Sequence, residues 1–343
     1  MNFASDNAQP ACPEIRAAVE AAAEGPAMPY GNDPWTERAV AAVRDTFAAP
    51  HAEVRLVATG TAANALGLSL LTPPYGAVYC HPEAHVYEDE CAAPEFFTGG
   101  AKLIPLPDRA GKVAADDLAA LLAVPQRGVH HAPHAALTLT QATEYGLVYG
   151  VDEVATLAGL CHDHGLAVHM DGARFANAVA ALGCAPADIT WRAGVDVLSL
   201  GASKNGAWAC EAVVVFDPTK APGLEHRRKR AGHLLSKGRF LGAQMAAYLE
   251  DGLWLRNAAH ANAMAARLSA GLAALPGASL VHPTQANEVF IDLPAPVVDG
   301  LEARGFVFYR WHGPGTTLLR LVASHGTLET DVAAFLDAAR ALA

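Results

Sequence analysis

Along the first two thirds of the chain, short apolar runs that end in Gly, Ser or Asp alternate with Ala-rich segments of helical period. Such alternation marks βα units wound around a mostly parallel sheet, so the pattern predicts an α/β class. Strands are predicted at 54–58, 77–80, 136–139, 166–170, 195–200 and 212–216. Most are apolar without strict alternation, as strands covered on both faces must be. Helices are predicted at 34–47, 61–71, 151–164 and 175–182. After about Tyr248 the texture changes. A long Ala-rich helix over 253–275 leads to Pro276-Gly277, then to short strands at 288–293 and 318–322 and a closing helix over 328–342. The chain therefore divides into a large domain, residues 1–247 with the amino-terminal segment, and a smaller carboxy-terminal α+β domain, residues 248–343.

Composition narrows the partners. A chain of 343 residues, 52% hydrophobic and 17% charged, is a folded globular protein of roughly two domains. Its net charge of −11 opposes binding to nucleic acid. One dense basic run, Arg227 to Arg230 followed by Lys237 and Arg239, reads on its own as the solvated face of a helix. The start lacks a basic and apolar leader, and no apolar stretch approaches the roughly 18 residues a membrane span needs. Six scattered cysteines without a C-x-x-C pair read as reduced thiols, so a cytoplasmic location is expected.

The chemistry is carried by three turns at strand ends. GLAVHMDGARFANA sets Asp171 just after an apolar strand, where α/β proteins put their ligands. Capping of the following helix explains such an acid about equally well when it is taken alone. Twenty-five residues on, VDVLSLGASKNGAW ends another strand with Lys204 among small residues that leave room for a flat ring. Lysine amines form Schiff bases with carbonyl cofactors. An acid and a lysine at neighbouring strand ends are the two groups a pyridinium aldehyde requires. LVATGTAANALGLSLL then offers Gly60 and Thr61 at a helix start, whose free amides suit a phosphate. Together the three predict pyridoxal 5'-phosphate (PLP) bound at Lys204.

The order TGTAAN, EAHVYEDE, HMDGARFANA and LGASKNG resembles the low-specificity L-threonine aldolases of the fold-type I, aspartate-aminotransferase-like PLP enzymes. FASDNAQP, YGNDPWT, LTQATEYGLVY and RRKRAGHLLSKGRFLGAQ are similar to further segments of that family, in the same order. The resemblance implies a mostly parallel seven-stranded sheet in the large domain. It implies that Lys204 forms the Schiff base and that Asp171 keeps the pyridine nitrogen protonated. Gly60 and Thr61 match the phosphate turn, and His85 matches the imidazole stacked on the ring. Ser5, Arg174 and Arg320 match residues that grip the amino-acid carboxylate. His130 matches a histidine near the β-hydroxyl, with His131 and His134 as alternatives in the same HHAPH run. No carboxylate-histidine pattern supports a metal site there. Tyr30 resembles a residue supplied by a neighbouring subunit, which implies a homodimer or homotetramer with the active site at the subunit interface.

The implied reaction cleaves L-threonine, L-allo-threonine and related β-hydroxy-α-amino acids to glycine and an aldehyde, reversibly. A β-eliminating lyase or an aminotransferase would need the same Lys204 and Asp171 while breaking a different bond. A nucleotide-binding protein using the TGTAAN turn would lack both G-x-G-x-x-G and the Walker lysine. A non-catalytic scaffold would have no use for Lys204.

Overall fold

The computed structural model describes all residues from Met1 to Ala343. Seven strands form the large sheet: β1 Glu53–Val57, β2 Ala77–Cys80, β3 Lys102–Pro105, β4 His134–Thr140, β5 Ala167–Gly172, β6 Val197–Gly201 and β7 Glu211–Val215. Their spatial order is β1-β7-β6-β5-β4-β2-β3. Only β7 runs against the rest, pairing antiparallel with both β1 and β6. The mostly parallel seven-stranded sheet expected from the resemblance is therefore present. All six strands read from the apolar runs exist, and β3 is the addition. It is a four-residue edge strand whose Lys102 and Pro105 are exposed, so it lacks the continuous apolar run that marks the others.

The sheet is covered because its strands are. Every residue of β2, β6 and β7 is buried. The predicted helices appear as Pro34–Thr46, Gly60–Leu71, Val151–Asp163 and Phe175–Leu182. Further helices of the large unit include Pro13–Ala23, Ala115–Leu122 and Arg239–Leu249, of which Arg239–Leu249 packs on Pro34–Thr46.

A second sheet has the order β10-β11-β9-β8, with β8 Ser279–Leu280, β9 Glu288–Asp292, β10 Tyr309–Arg310 and β11 Leu318–Val322. Helices Ala295–Ala303 and Glu329–Arg340 accompany it. The long helix Leu253–Ala273 serves both units: Trp254 and Ala258 lie in the main core, whereas Met264, Leu268 and Leu272 lie in the second. The amino terminus also belongs to the second core. Phe3 is buried there against Phe335, and its backbone joins Val307 and Val322. From that anchor the chain runs straight into the cavity described next. No helix is long and apolar enough to cross a membrane.

Candidate active site

Glycines bring the ends of β5 and β6 together. A Cβ on Gly201 would stand 2.6 Å from the carbonyl oxygen of Ala173, and one on Gly172 would stand 2.6 Å from that of Ser199. Only hydrogen fits at both positions, so the backbones meet closely just where Asp171 and Lys204 leave the sheet. Lys204 sits in the turn Ser203–Asn205. Buried Asn205 anchors that turn by donating to Tyr248 Oη at 2.9 Å and to the Trp254 carbonyl at 2.8 Å. Glu211 braces its start, accepting from the Ala202 N–H at 2.9 Å.

Asp171 and Lys204 line one cavity of about 310 Å³, together with Gly60, Thr61, His85 and Arg174. Gly60 opens its helix there, and Thr59 caps it by accepting from the Ala62 N–H at 3.2 Å. The Thr61 hydroxyl makes no hydrogen bond within the protein, and the space beside Gly60 is open. Free amides at a helix start, a hydroxyl and that space suit an anion such as a phosphate. The helix is seated by Gly67, where a Cβ would come within 3.1 Å of the His169 ring. Burial lowers the His169 imidazole to about 4, so it is neutral and serves the core, bonded to Thr138 and Ser199.

Asp171 is buried at 3% exposure and accepts from the Ala173 N–H at 3.0 Å and from Asn64 Nδ2 at 2.8 Å. Each oxygen keeps capacity for a further donor, as a pyridinium N–H would supply. A lysine, a buried carboxylate and a helix amino terminus around one cavity of this size fit a flat pyridinium aldehyde carrying a phosphate.

Arg174 is held from behind. Its Nε and Nη2 donate to Asp6, and Nη2 lies 3.4 Å from Glu288. Burial alone would raise the Asp6 carboxyl, but Arg174, Lys204 and Asn287 bring it below its ordinary value. Glu288 is pushed up by burial despite Arg174 and Arg320. Arg320 lies between the rings of Tyr309 and Trp311, at 5.1 and 5.2 Å, and donates to the Ala4 carbonyl. It is not a wall of the cavity, and neither is Ser5, whose hydroxyl accepts from the Asn7 N–H. Asn7 takes that place in the wall.

Two further predicted residues, Tyr30 and His130, also stand apart from their own chain's cavity. Tyr30 borders a separate cavity with Arg55, Glu225 and Arg228, and its ring lies 5.0 Å from Lys229 Nζ. His130 ends an exposed turn, Gly128–His130. Nor do the alternatives reach the site: His131 accepts from Arg127 Nε, and His134 Nδ1 bonds the Tyr79 hydroxyl. The histidine brought to the cavity is His85.

Several cavity residues had not been singled out: Asn7, Asn64, Glu90, Glu144, Trp208 and Glu211. Glu90 and Glu144 stand inside the quoted segments EAHVYEDE and LTQATEYGLVY, so the signal was in hand without the contacts. Glu144 accepts from the His85 N–H at 2.9 Å and from Thr140 Oγ1 at 2.8 Å, and burial raises it to about 7.

The model of the beta-eliminating lyase family matches residues 2–295. A low specificity L-threonine aldolase from Pseudomonas sp. strain NCIMB 10558 is 44% identical over 96% of this chain and 94% of its own. Its counterpart from Pseudomonas aeruginosa is 44% identical over 91% and 90%. The solved structure of Leishmania major threonine aldolase superposes with a TM-score of 0.93 at 28% identity, covering 99% of each chain. A Sphingomonas wittichii serine palmitoyltransferase, 17% identical with a TM-score of 0.74 over 100% of this chain and 86% of its own, shares the fold. The chain belongs to the beta-eliminating lyase family and, within it, to the branch of the low-specificity L-threonine aldolases.

Proposed function

We propose that this protein is a PLP-dependent aldolase that cleaves L-threonine, L-allo-threonine and related β-hydroxy-α-amino acids to glycine and an aldehyde. The observation that carries the reading is the meeting of Lys204, Asp171 and the Gly60 helix start in one cavity. The choice of aldol cleavage over elimination rests on the two Pseudomonas relatives.

When bound, PLP supplies an electron sink for the pair released at Cα. Lys204 would hold it covalently, Asp171 would keep its ring nitrogen protonated, and the amides at Gly60 and Thr61 would take its phosphate. Arg174 Nη1 makes no bond within the protein and is the group left for the substrate carboxylate. Arg320 adds positive charge behind it. With the carboxylate fixed, the Cα–Cβ bond can be aligned for cleavage.

Cleavage needs a base for the β-hydroxyl proton, after which Cα takes a proton to become glycine. His85 is the imidazole suited to that step, since Nδ1 bonds Glu90 and Nε2 has no partner in the protein. Tyr30 and His130 serve a cavity only if a second copy of the chain brings them to it.

The test is product analysis. L-threonine should yield glycine and acetaldehyde, glycine with an added aldehyde should run the reaction backwards, and serine should react more slowly. Ammonia and a keto acid without glycine would move the protein to the eliminating lyases.

A further inference from the structure

Asn64 is 2% exposed and uses its amide nitrogen on two carboxylates at once. Nδ2 donates to Glu90 Oε1 and to Asp171 Oδ2, each at 2.8 Å. The opposite amide orientation would turn its oxygen toward two acceptors, so this orientation is the one the partners dictate. Glu90 Oε1 also meets His85 Nδ1 at 2.9 Å, and the Glu90 side chain has no exposed surface. An unbroken line of hydrogen bonds therefore runs from His85 through Glu90 and Asn64 to Asp171.

That line decides which ring nitrogen of His85 holds the proton. The Glu90 oxygen is an acceptor, so the nitrogen it faces carries hydrogen, and a neutral ring then has its lone pair on Nε2. We propose that Glu90 and Asn64 are positioning residues of the cleavage: they lock His85 in the Nδ1–H tautomer, leave Nε2 as its acceptor, and bind it to Asp171 through one shared amide. This rests on the aldolase reading above.

Four charged groups face His85. Glu90 and Asp171 favour its protonated form and Lys204 opposes it, while Glu144 receives its backbone N–H. The hydrogen bond to Glu90 outweighs burial and raises the imidazole above its ordinary value. Glu90 itself is pushed up by burial against the bonds from His85 and Asn64. A neutral Glu90 protonated on Oε2 would still accept at Oε1, so the tautomer does not depend on its charge. The affinity of His85 for a proton does.

The two roles separate experimentally. Selective ¹⁵N-histidine NMR of the PLP-loaded full chain reads the tautomer, and the acidic limb of the kcat profile reads the proton affinity. In Glu90→Gln the amide oxygen still accepts, so the Nδ1–H form should persist while the acidic limb moves to lower pH. Glu90→Ala should lose the tautomer preference and about tenfold or more in kcat, with KM for threonine within about twofold. Asn64→Leu, of similar size but without donors, should weaken the preference. An Nε2–H ring in the unaltered protein, or a Glu90→Ala variant with the same tautomer and the same acidic limb, overturns the proposal. Failure to form glycine with the tautomer as described would overturn the aldolase reading alone.

Discussion

Arg174 and Asp6 meet through two hydrogen bonds, Nε to Oδ2 at 2.8 Å and Nη2 to Oδ1 at 3.1 Å, although 168 positions separate them in the chain. The carboxylate at the amino terminus thereby aims a guanidinium at the carboxyl end of the sheet. Asp6→Ala should destabilise the fold by up to about 3 kcal/mol, because it takes both hydrogen bonds from a buried guanidinium and leaves it only Glu288, 3.4 Å away. Asp6→Asn keeps one acceptor and should mainly raise KM for threonine. Urea unfolding and steady-state kinetics on the two variants check this pair of outcomes.

Lys204→Ala should abolish turnover while the fold survives, since Asn205 and Glu211 hold the turn from either side of the lysine. Borohydride reduction followed by peptide mapping should place the cofactor on Lys204 in the unaltered protein. A label on any other lysine would refute the assignment.

Asp171→Asn should retain cofactor but lose most activity. An amide cannot stabilise a protonated ring nitrogen as a carboxylate does, and its NH₂ would also face the Asn64 or Ala173 donor. Near-normal kcat in this variant would remove the acid from the mechanism.

His85→Asn should depress kcat by about 10²–10⁴-fold, the usual range for a lost acid–base group. His130→Ala should leave it within about twofold if the base is drawn from the same chain. A large loss in the His130 variant instead would mean that a second copy delivers that imidazole.

Glu211 sets a pH dependence of stability. Burial raises its carboxyl from 4.5 to about 7, against the bonds from Ser203 and Ala202 and the charge of Lys204. The unfolded chain gives up this proton first, so the contribution is complete below about pH 4.5 and is lost as pH rises through about 7. In the cofactor-free protein the loss should approach about 3 kcal/mol, and Glu211→Gln should flatten it. Parallel pH profiles of the two urea midpoints would show instead that folding leaves the Glu211 carboxyl unshifted.

Strands with continuous apolar runs, such as β5 and β6, were legible because burial on both faces writes itself into consecutive residues. Edge strand β3 was not, since half of it faces solvent. Two of the three chemical turns were legible because Lys204 and Asp171 are costly at strand ends unless something meets them. Asn64 and Glu90 carry no such local mark. An amide within a helix and one glutamate in an acidic run acquire meaning only through contacts 107 and 26 positions away. Ser5 and Asp6 show the limit of matching by motif: the segment FASDNAQP points to Ser5, yet the acid beside the serine is the residue that holds Arg174.

The helix Leu253–Ala273 crosses from one core to the other without a break, and Phe3 closes the circuit from the opposite end of the chain. Neither unit owns all of its own interior. Fragments cut near residue 250 would each expose a greasy surface that the other was meant to cover, so they should be recovered as aggregates. Heating the intact chain should melt both sheets in one calorimetric peak, because the scaffold of the reaction is a single cooperative body.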